Sequence, residues 1–408
     1  MAKKDGSKMR PRLRFPEFRG KAEWKYSPLH LFTAPVTERA KAADESQVLT
    51  LSGEYGIVLQ SEYFGKKVAG TNSERYLKIA RNDFVYNDRT TKQAVYGTIK
   101  RLSKHDGGIV SPIYKCFRFD VRESPEFWEF YFDSGVHDLE LKGLINEGAR
   151  TGRFNISINQ FLSTSACRPE RAEQEKIADC LSSLDELITA QGRKVETLKA
   201  HKRGLMQELF PREGETMPRL RFPEFRDGLE WENKPLAVVA ENLDNKRVPV
   251  TEQARDKGQI PYYGASGIVD YVKDYLFDED LLCVSEDGAN LVARTYPIAF
   301  AISGKTWVNN HAHVLRFSEP STQKFVELYL NSIDLQDFIT GMAQPKLNRA
   351  MLDSIPIPHP EHAEQAKIAS CLSSLDTLIA AEAEKLEALK THKKGLMQGL
   401  FPAVEKES

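Results

Sequence analysis

A 39-residue stretch is written twice in this chain of 408 residues. Residues 173–211 read EQEKIADCLSSLDELITAQGRKVETLKAHKRGLMQELFP, and residues 364–402 read EQAKIASCLSSLDTLIAAEAEKLEALKTHKKGLMQGLFP. The offset is 191 (364 − 173) without a gap, and 27 of the 39 positions are identical. A shorter lead-in motif is doubled as well: PRLRFPEFR stands at 11–19 and again at 218–226, each followed by Glu-Trp (Glu23-Trp24, Glu230-Trp231). Internal repeats constrain an architecture before any local reading does. The interiors, 25–170 and 232–360, share little that aligns. The chain therefore reads as one frame duplicated around two unlike domains, with plain duplication and divergence of a single domain as the alternative.

The long repeat has a helical seam. Ile177, Leu181, Leu184, Ile188, Val195 and Leu198 recur at alternating steps of four and three once Gln191 fills the open slot, and Leu205 and Leu209 continue beyond Lys202. Ile368, Leu372, Leu375, Ile379, Leu386 and Leu389 repeat the pattern around Glu382, and Leu396 and Leu400 continue it beyond Lys393. This is a heptad seam. Pro169 and Pro211 bound the first helix, Pro360 and Pro402 the second, since proline stops a helix interior. About 34 helical residues span roughly 50 Å.

Charge sets the direction of pairing. Residues 173–186 hold five acids and one base, and residues 193–203 five bases and one acid. The second copy has the same polarity more weakly, −1 over 364–377 and +1 over 382–394. Antiparallel pairing sets acidic ends against basic ends and suits each helix dipole. The expected fold class is α+β: two β-rich, mixed α/β domains joined by two long helices that form an intramolecular antiparallel coiled coil in a pseudo-two-fold arrangement. The expected boundaries are 1–24 for an N-terminal arm with the lead-in motif, 25–170 for the first domain, 171–211 for the first helix, 212–231 for a linker with the second motif, 232–360 for the second domain, 361–402 for the second helix and 403–408 for a tail. Two heads held apart on such a rod match two half-sites on duplex DNA, about 15 base pairs apart if the rod is roughly 50 Å long.

Composition excludes several classes. With 58 acids against 57 bases the net charge is −1, too balanced for coating nucleic acid by charge alone. Five cysteines with no CxxC pair argue against a disulfide scaffold or a standard zinc module. No apolar run approaches the roughly 18 residues of a membrane span. The basic N-terminus lacks an apolar segment behind it, so a secretory signal is not expected. A reducing cytoplasm is the expected setting.

The candidate contacts lie in the two interiors. Residues 75–118 hold ten bases and three acids, interleaved with aromatic and amide side chains. The candidates there are Arg81, Asn87, Arg89, Thr90, Thr91, Lys92, Gln93, Tyr96, Lys100 and Arg101. Arg and Lys suit guanine edges or phosphates, and Asn and Gln suit adenine; a solvated loop is the alternative. Arg150 and Arg153 lie in a second, glycine-containing loop, NEGARTGRFN. In the second domain the candidates are Tyr262, Tyr263, Ser266, Arg294, Lys305, Asn309, Asn310 and His311. The span 270–287 carries seven acids and one base, whereas 291–316 has three bases and no acid and is the better groove-facing segment.

Catalytic look-alikes fail one by one. Gly304-Lys305-Thr306 ends like a phosphate loop, but Ala299 occupies the leading glycine position. His311 and His313 lack an evident third ligand, so no metal site is expected. Glu140-Leu141-Lys142 has the spacing of some nucleases without a partner carboxylate. Glu286-Asp287 beside Gly288 reads more simply as a turn than as an acid–base pair.

These residues resemble a known family. The doubled EQ-x-KIA-x-CLSSLD helix with its GLMQ-x-LFP ending, the PRLRFPEF motifs, PYYGASGIVDYV, EDGANL, WVNNHAHVLRF and QPKLNRAMLDSIPIPHPE are similar to specificity subunits of type I restriction–modification enzymes. The first copy departs from the pattern: residues 155–168 read NISINQFLSTSACR, without the QPKLN–IPIP wording. The resemblance implies two target-recognition domains, a two-part asymmetric DNA target with an unread spacer, and no catalysis by this chain. It implies two methyltransferase subunits, which bind S-adenosylmethionine, on the repeated frame, and two motor–nuclease subunits that use ATP and magnesium. No cofactor is expected in this chain. Phe15, Phe18, Phe222 and Phe225 of the lead-in motifs become candidate docking residues for the methyltransferase subunits. An enzyme acting on DNA by itself and a coiled-coil scaffold without DNA specificity are the other readings.

Overall fold

The computed structural model describes residues 10–41, 47–65, 73–92, 94–144, 154–212, 214–341 and 344–402. The chain divides into two compact units, one of residues 1–191 with 385–408 and one of residues 192–384. Each long helix, Arg171–Leu209 and His362–Leu400, contributes one half to each unit.

In the first unit ten strands follow in chain order: β1 Lys25–Pro28, β2 Thr33–Pro35, β3 Val48–Ser52, β4 Gly56–Leu59, β5 Leu77–Ala80, β6 Phe84–Asn87, β7 Thr98–Arg101, β8 Gly107–Val110, β9 Lys115–Phe119 and β10 Ser165–Arg168. Ten more follow in the second unit: β11 Glu232–Pro235, β12 Glu241–Asn242, β13 Lys257–Gly264, β14 Gly267–Val272, β15 Phe277–Asp278, β16 Leu281–Ser285, β17 Ala299–Ile302, β18 Lys305–Val308, β19 Ala312–Arg316 and β20 Pro356–His359.

The strand orders are the same in both units. The first has sheets β2-β9-β6-β7 and β4-β3-β8-β5; the second has β12-β19-β16-β17 and β14-β13-β18-β15. Each has one parallel pairing at the same place, β3 with β8 and β13 with β18. Each also has a two-stranded antiparallel ribbon, β1 with β10 and β11 with β20, where the chain enters and leaves the head. The interiors are thus unlike in sequence but alike strand for strand. Strand order depends on which residues are apolar and inward, not on their identity, so it outlasts recognisable sequence.

The core of the first unit is aromatic. Trp24, Phe84, Phe117, Phe127, Trp128 and Phe161 pack with Ile177 and Leu181 of the first long helix and with Leu400 and Phe401 at the end of the second. In the second unit Trp231, Phe325, Leu282 and Val284 pack with Ile368 and Leu372, and with Leu209 and Phe210. Each head is therefore welded to the start of one helix and the end of the other, which requires the helices to run antiparallel in each unit. All twelve predicted pairing residues are buried or half-buried. Polar contacts follow the predicted charge pattern: Lys393 bonds Asp185 at 2.6 and 2.7 Å in one unit, and Lys202 bonds Asp376 at 2.5 Å in the other. Lys194 pairs with Glu382. Among the described residues no helix is long and apolar enough to cross a membrane.

Candidate nucleic-acid interface

Each lead-in motif folds back onto the first turn of a long helix. Glu173, 2% exposed, accepts two hydrogen bonds of 2.7 Å from Arg14 and one of 3.2 Å from the Trp24 indole. Glu364, 1% exposed, accepts bonds of 2.7 and 2.8 Å from Arg221 and 3.1 Å from Trp231. The carboxylate hydrogen bonds hold both guanidinium groups above their ordinary pKa. The neighbouring amides Gln174 and Gln365 donate to the carbonyls of Pro169 and Pro360. The Leu13 amide donates to Gly399 O, and the Leu220 amide to Glu208 O, both at 2.8 Å. Phe15 and Phe222 are half-buried, each beneath a lysine ammonium (Lys176, Lys367) 5.6 Å from its ring. Phe18 and Phe225 are half-buried within single 3-10 turns. The repetition of the motif is matched by this internal clasp, and the four candidate docking phenylalanines lie half-buried beside it.

Next to the clasp, one exposed face of each helix is kept and another has drifted. Ala172, Lys176, Ser183, Leu187 and Ala190 are exposed and lie on one side at helical spacing. Their counterparts 191 positions on, Ala363, Lys367, Ser374, Leu378 and Ala381, are exposed and identical. On the adjacent exposed side Glu175, Asp179, Glu186 and Thr189 have become Ala366, Ser370, Thr377 and Ala380. Leu187 is 55% exposed and Leu378 41%.

In the first head the loop between β6 and β7 is braced from within. Asn87 Oδ1 accepts the Arg89 amide and Thr91 Oγ1 the Ala94 amide; the Tyr86 hydroxyl donates to Tyr96 O. Gly97 closes the loop at φ +87°, where a Cβ would lie 2.4 Å from Asn87 O. Arg89 and Lys92 stay exposed with Thr91, while Thr90 and Tyr96 are half-buried. The charged groups of Arg89 and Lys92 meet no hydrogen-bond or ion-pair partner among the described residues.

Other predicted bases are committed elsewhere. Arg101 bonds Glu126 at 2.6 Å, Glu129 at 2.8 Å and Asn82 at 2.8 Å, and Lys100 bonds Asp133 at 2.8 Å. These acids line the helix Pro125–Asp133, so the local positive charge is matched from outside the segment that carries it. Burial pushes the Glu129 carboxyl above its ordinary pKa against the pull of Arg101. Arg81 is tied to Asp106 and to Ser103 O in a surface turn. Gln93, Arg150 and Arg153 lie outside the described residues.

The second head requires similar corrections. Tyr262 is 1% exposed, with its hydroxyl on Val250 and Arg255 4.4 Å from its ring centre. Tyr263 is half-buried and stacks on Phe300. Arg294, at φ +50°, donates to Leu330 O and Ile333 O and ends the helix Pro320–Ser332; burial lowers its pKa. Asn309 is buried and its Oδ1 accepts the His311 amide at 2.8 Å. Ser266, Lys305, Asn310 and His311 remain exposed; Lys305 lies 4.8 Å from the Tyr275 ring.

His311 and His313 do not share partners. His311 Nδ1 donates to Asp287 at 2.8 Å. Buried His313 bonds Asp244 at 2.6 Å and Leu347 O at 2.8 Å. Asp244, Glu286 and His313 have ligand atoms within 4.8 Å of one another. Arg247 and Lys346, however, already meet Glu286 at 2.7 and 3.1 Å, which supplies the positive charge a metal ion would bring. Burial raises the Asp244 and Glu286 carboxyls, but the His313 hydrogen bond and Arg247, respectively, with the other neighbouring donors, bring both below their ordinary values.

Registers align the two heads residue by residue. Tyr86 pairs with Lys115 as Val284 pairs with His313, so Asp88 corresponds to Glu286 and Lys115 to His313. Asp88 is fully buried and accepts from Lys115 at 2.6 Å, while its carbonyl accepts the Phe154 amide. Glu286 does the same with the Leu347 amide. Phe154 and Asn155 therefore stand where Leu347 and Asn348 stand. Sequence reading missed Asp88 and Arg247 and set Glu286 aside as part of a turn, because the only local signal was an acid beside a basic or glycine-rich loop.

With this geometry in place, comparison with known proteins is informative. Residues 229–391 match the family described as type I restriction modification DNA specificity domain. A Haemophilus influenzae protein named as a type I restriction enzyme specificity subunit, S.HindORF215P, is 39% identical over 152 residues, 37% of this chain and 39% of that protein. The MjaVIII specificity subunit of Methanocaldococcus jannaschii is 26% identical over 294 residues, 65% of this chain and 68% of that one. The match thus spans about two fifths of the first relative's length and two thirds of the second's. The S subunit of a type I restriction–modification system from M. genitalium has the same fold, with a TM-score of 0.57 at 14% identity over 97% of this chain and 100% of that one. Residues 229–391 are thus similar to the type I restriction modification DNA specificity domain, and the fold is that of the M. genitalium S subunit.

Proposed function

We propose that this chain is the noncatalytic DNA-reading subunit of a type I restriction–modification complex in the cytoplasm. Each head reads one part of an asymmetric two-part duplex target, and the long helices set the unread spacer. One observation carries this reading: identical clasps and one strand order support two heads whose exposed loops differ. A scaffold without DNA specificity would have no use for that difference. The contact set is Arg89, Thr90, Thr91 and Lys92 in the first head and Ser266, Lys305, Asn310 and His311 in the second, with Lys346 added by its place at the Glu286 hub. Phosphate contacts from Lys and Arg position the heads, and base-edge contacts specify the target.

Two identical methyltransferase subunits dock on the helices, and two motor–nuclease subunits join for restriction. The support is the kept face of Leu187 and Leu378, which internal packing does not require and which a partner bound twice would use twice. Methylome sequencing of cells carrying this chain with its methyltransferase partner tests the whole reading. A two-part motif with a fixed gap is expected; a single continuous motif, or none, refutes it.

A further inference from the structure

One turn stands at the same place in both heads and carries opposite chemistry at its tip. Between β8 and β9 stand Ser111, Pro112, Ile113 and Tyr114; between β18 and β19 stand Asn309, Asn310 and His311, with Ala312 opening β19 where Tyr114 stands. Strand registers fix the correspondence, since Val110 pairs with Leu49 as Val308 pairs with Tyr263 across the one parallel contact of each head. The same side-chain bond shapes both turns: Ser111 Oγ accepts the Ile113 amide at 3.5 Å, and Asn309 Oδ1 accepts the His311 amide at 2.8 Å. The tip side chains are exposed in both, Ile113 at 44%.

Each tip stands beside the hub acid or the residue after it: Lys115 Nζ bridges Ile113 O and Asp88, and His311 meets Asp287. The residue after the hub acid is Arg89 in one head and Asp287 in the other, by the register above. Asp287 fixes His311: a carboxylate only accepts, so Nδ1 carries a proton, which in the neutral tautomer makes Nε2 the acceptor. An exposed isoleucine offers nothing but methyl surface. In the major groove those two chemistries have distinct complements, the thymine methyl for an apolar tip and the exocyclic amino group of adenine or cytosine for an acceptor.

We propose that Ile113 and His311 occupy one equivalent base-reading position, the first selecting a thymine methyl and the second an exocyclic amino group. This rests on the DNA-reading function proposed above. A braced, exposed position that changes from hydrocarbon to hydrogen-bonding group while its turn is retained is what two heads with different targets need.

The test uses the full chain and duplexes selected from a random-sequence pool. In the half-site read by the first head, each thymine is replaced in turn by uracil. In the other half-site each adenine is replaced by purine and each cytosine by 2-pyrimidinone. One uracil position should weaken wild-type binding roughly threefold and leave Ile113→Ala unaffected. One amino deletion should weaken it about tenfold and leave His311→Ala unaffected. Coupling of His311 to a 7-deaza purine instead would make its ring a donor and overturn the assignment. Variants that weaken binding equally on every sequence would overturn it too, leaving DNA reading intact. Failure of any sequence to be enriched from the pool would remove both the assignment and the function on which it rests.

Discussion

The clasp at each helix start yields a measurable prediction with its own replicate. Replacing Arg14 by Met leaves Glu173 as an uncompensated carboxylate at 2% exposure; replacing Glu173 by Gln leaves the Arg14 guanidinium without its counter-charge. Breaking a buried pair from one side costs about 3–5 kcal/mol. Glu173 also sits in the first helical turn, where a negative charge is worth about 0.3–1 kcal/mol more. Each single variant should thus destabilise by about 3–5 kcal/mol. The double variant Arg14→Met with Glu173→Met should cost well under the sum, because no charge remains buried. The bond lengths at Arg221–Glu364 match those at Arg14–Glu173 within 0.1 Å, so the second clasp should return the same values. The assay is urea unfolding of each single and double variant, followed by intrinsic tryptophan fluorescence, since Trp24 and Trp231 donate to the two glutamates. Additive single costs, or singles below about 1 kcal/mol, would refute the claim that these are coupled buried pairs.

Arg89→Ala should leave stability within about 0.5 kcal/mol while relaxing discrimination at one base by about 1–3 kcal/mol in binding assays; Arg101→Ala should do the reverse, losing about 1–3 kcal/mol of stability with base preference unchanged. Burial holds the His137 pKa at about 3 against an ordinary 6.5. The unfolded chain therefore takes up the proton first as pH falls, and stability should drop by about 2 kcal/mol between pH 6.5 and 5 from this group alone. His137→Gln should remove that part of the slope in denaturation curves taken at each pH. Leu187→Glu with Leu378→Glu should abolish co-purification with the methyltransferase subunits while leaving the melting temperature unchanged. Deleting seven residues from both long helices should shorten the spacer seen by methylome sequencing and leave both half-site sequences as they were.

The helix pairing was legible because a heptad seam and a charge gradient are properties of a contiguous stretch, and Ile177 to Leu198 display both without reference to the rest of the chain. Strands β3, β5, β6, β8 and β9 were legible for the same reason, as short apolar or β-branched runs. The equivalence of the heads was hidden, since strand order leaves no fixed spelling. Partners distant in sequence were hidden as well. Arg101 looked available because Glu126 and Glu129 lie more than twenty positions away. The partners of the glutamate that opens each long repeat come from residues 14 and 24 in one copy and 221 and 231 in the other.

The narrow ribbons β1–β10 and β11–β20 have a consequence for how such a chain can change. Each is a four-residue ladder, Lys25 opposite Arg168 to Pro28 opposite Ser165, and Glu232 opposite His359 to Pro235 opposite Pro356. All the polypeptide of a head departs from and comes back to a single hinge pin, much as a drawer hangs on one pair of runners. A foreign insert bearing compatible ends could slide into that socket without rewriting a residue of the shaft. New tastes in DNA could then be acquired by wholesale replacement instead of gradual revision.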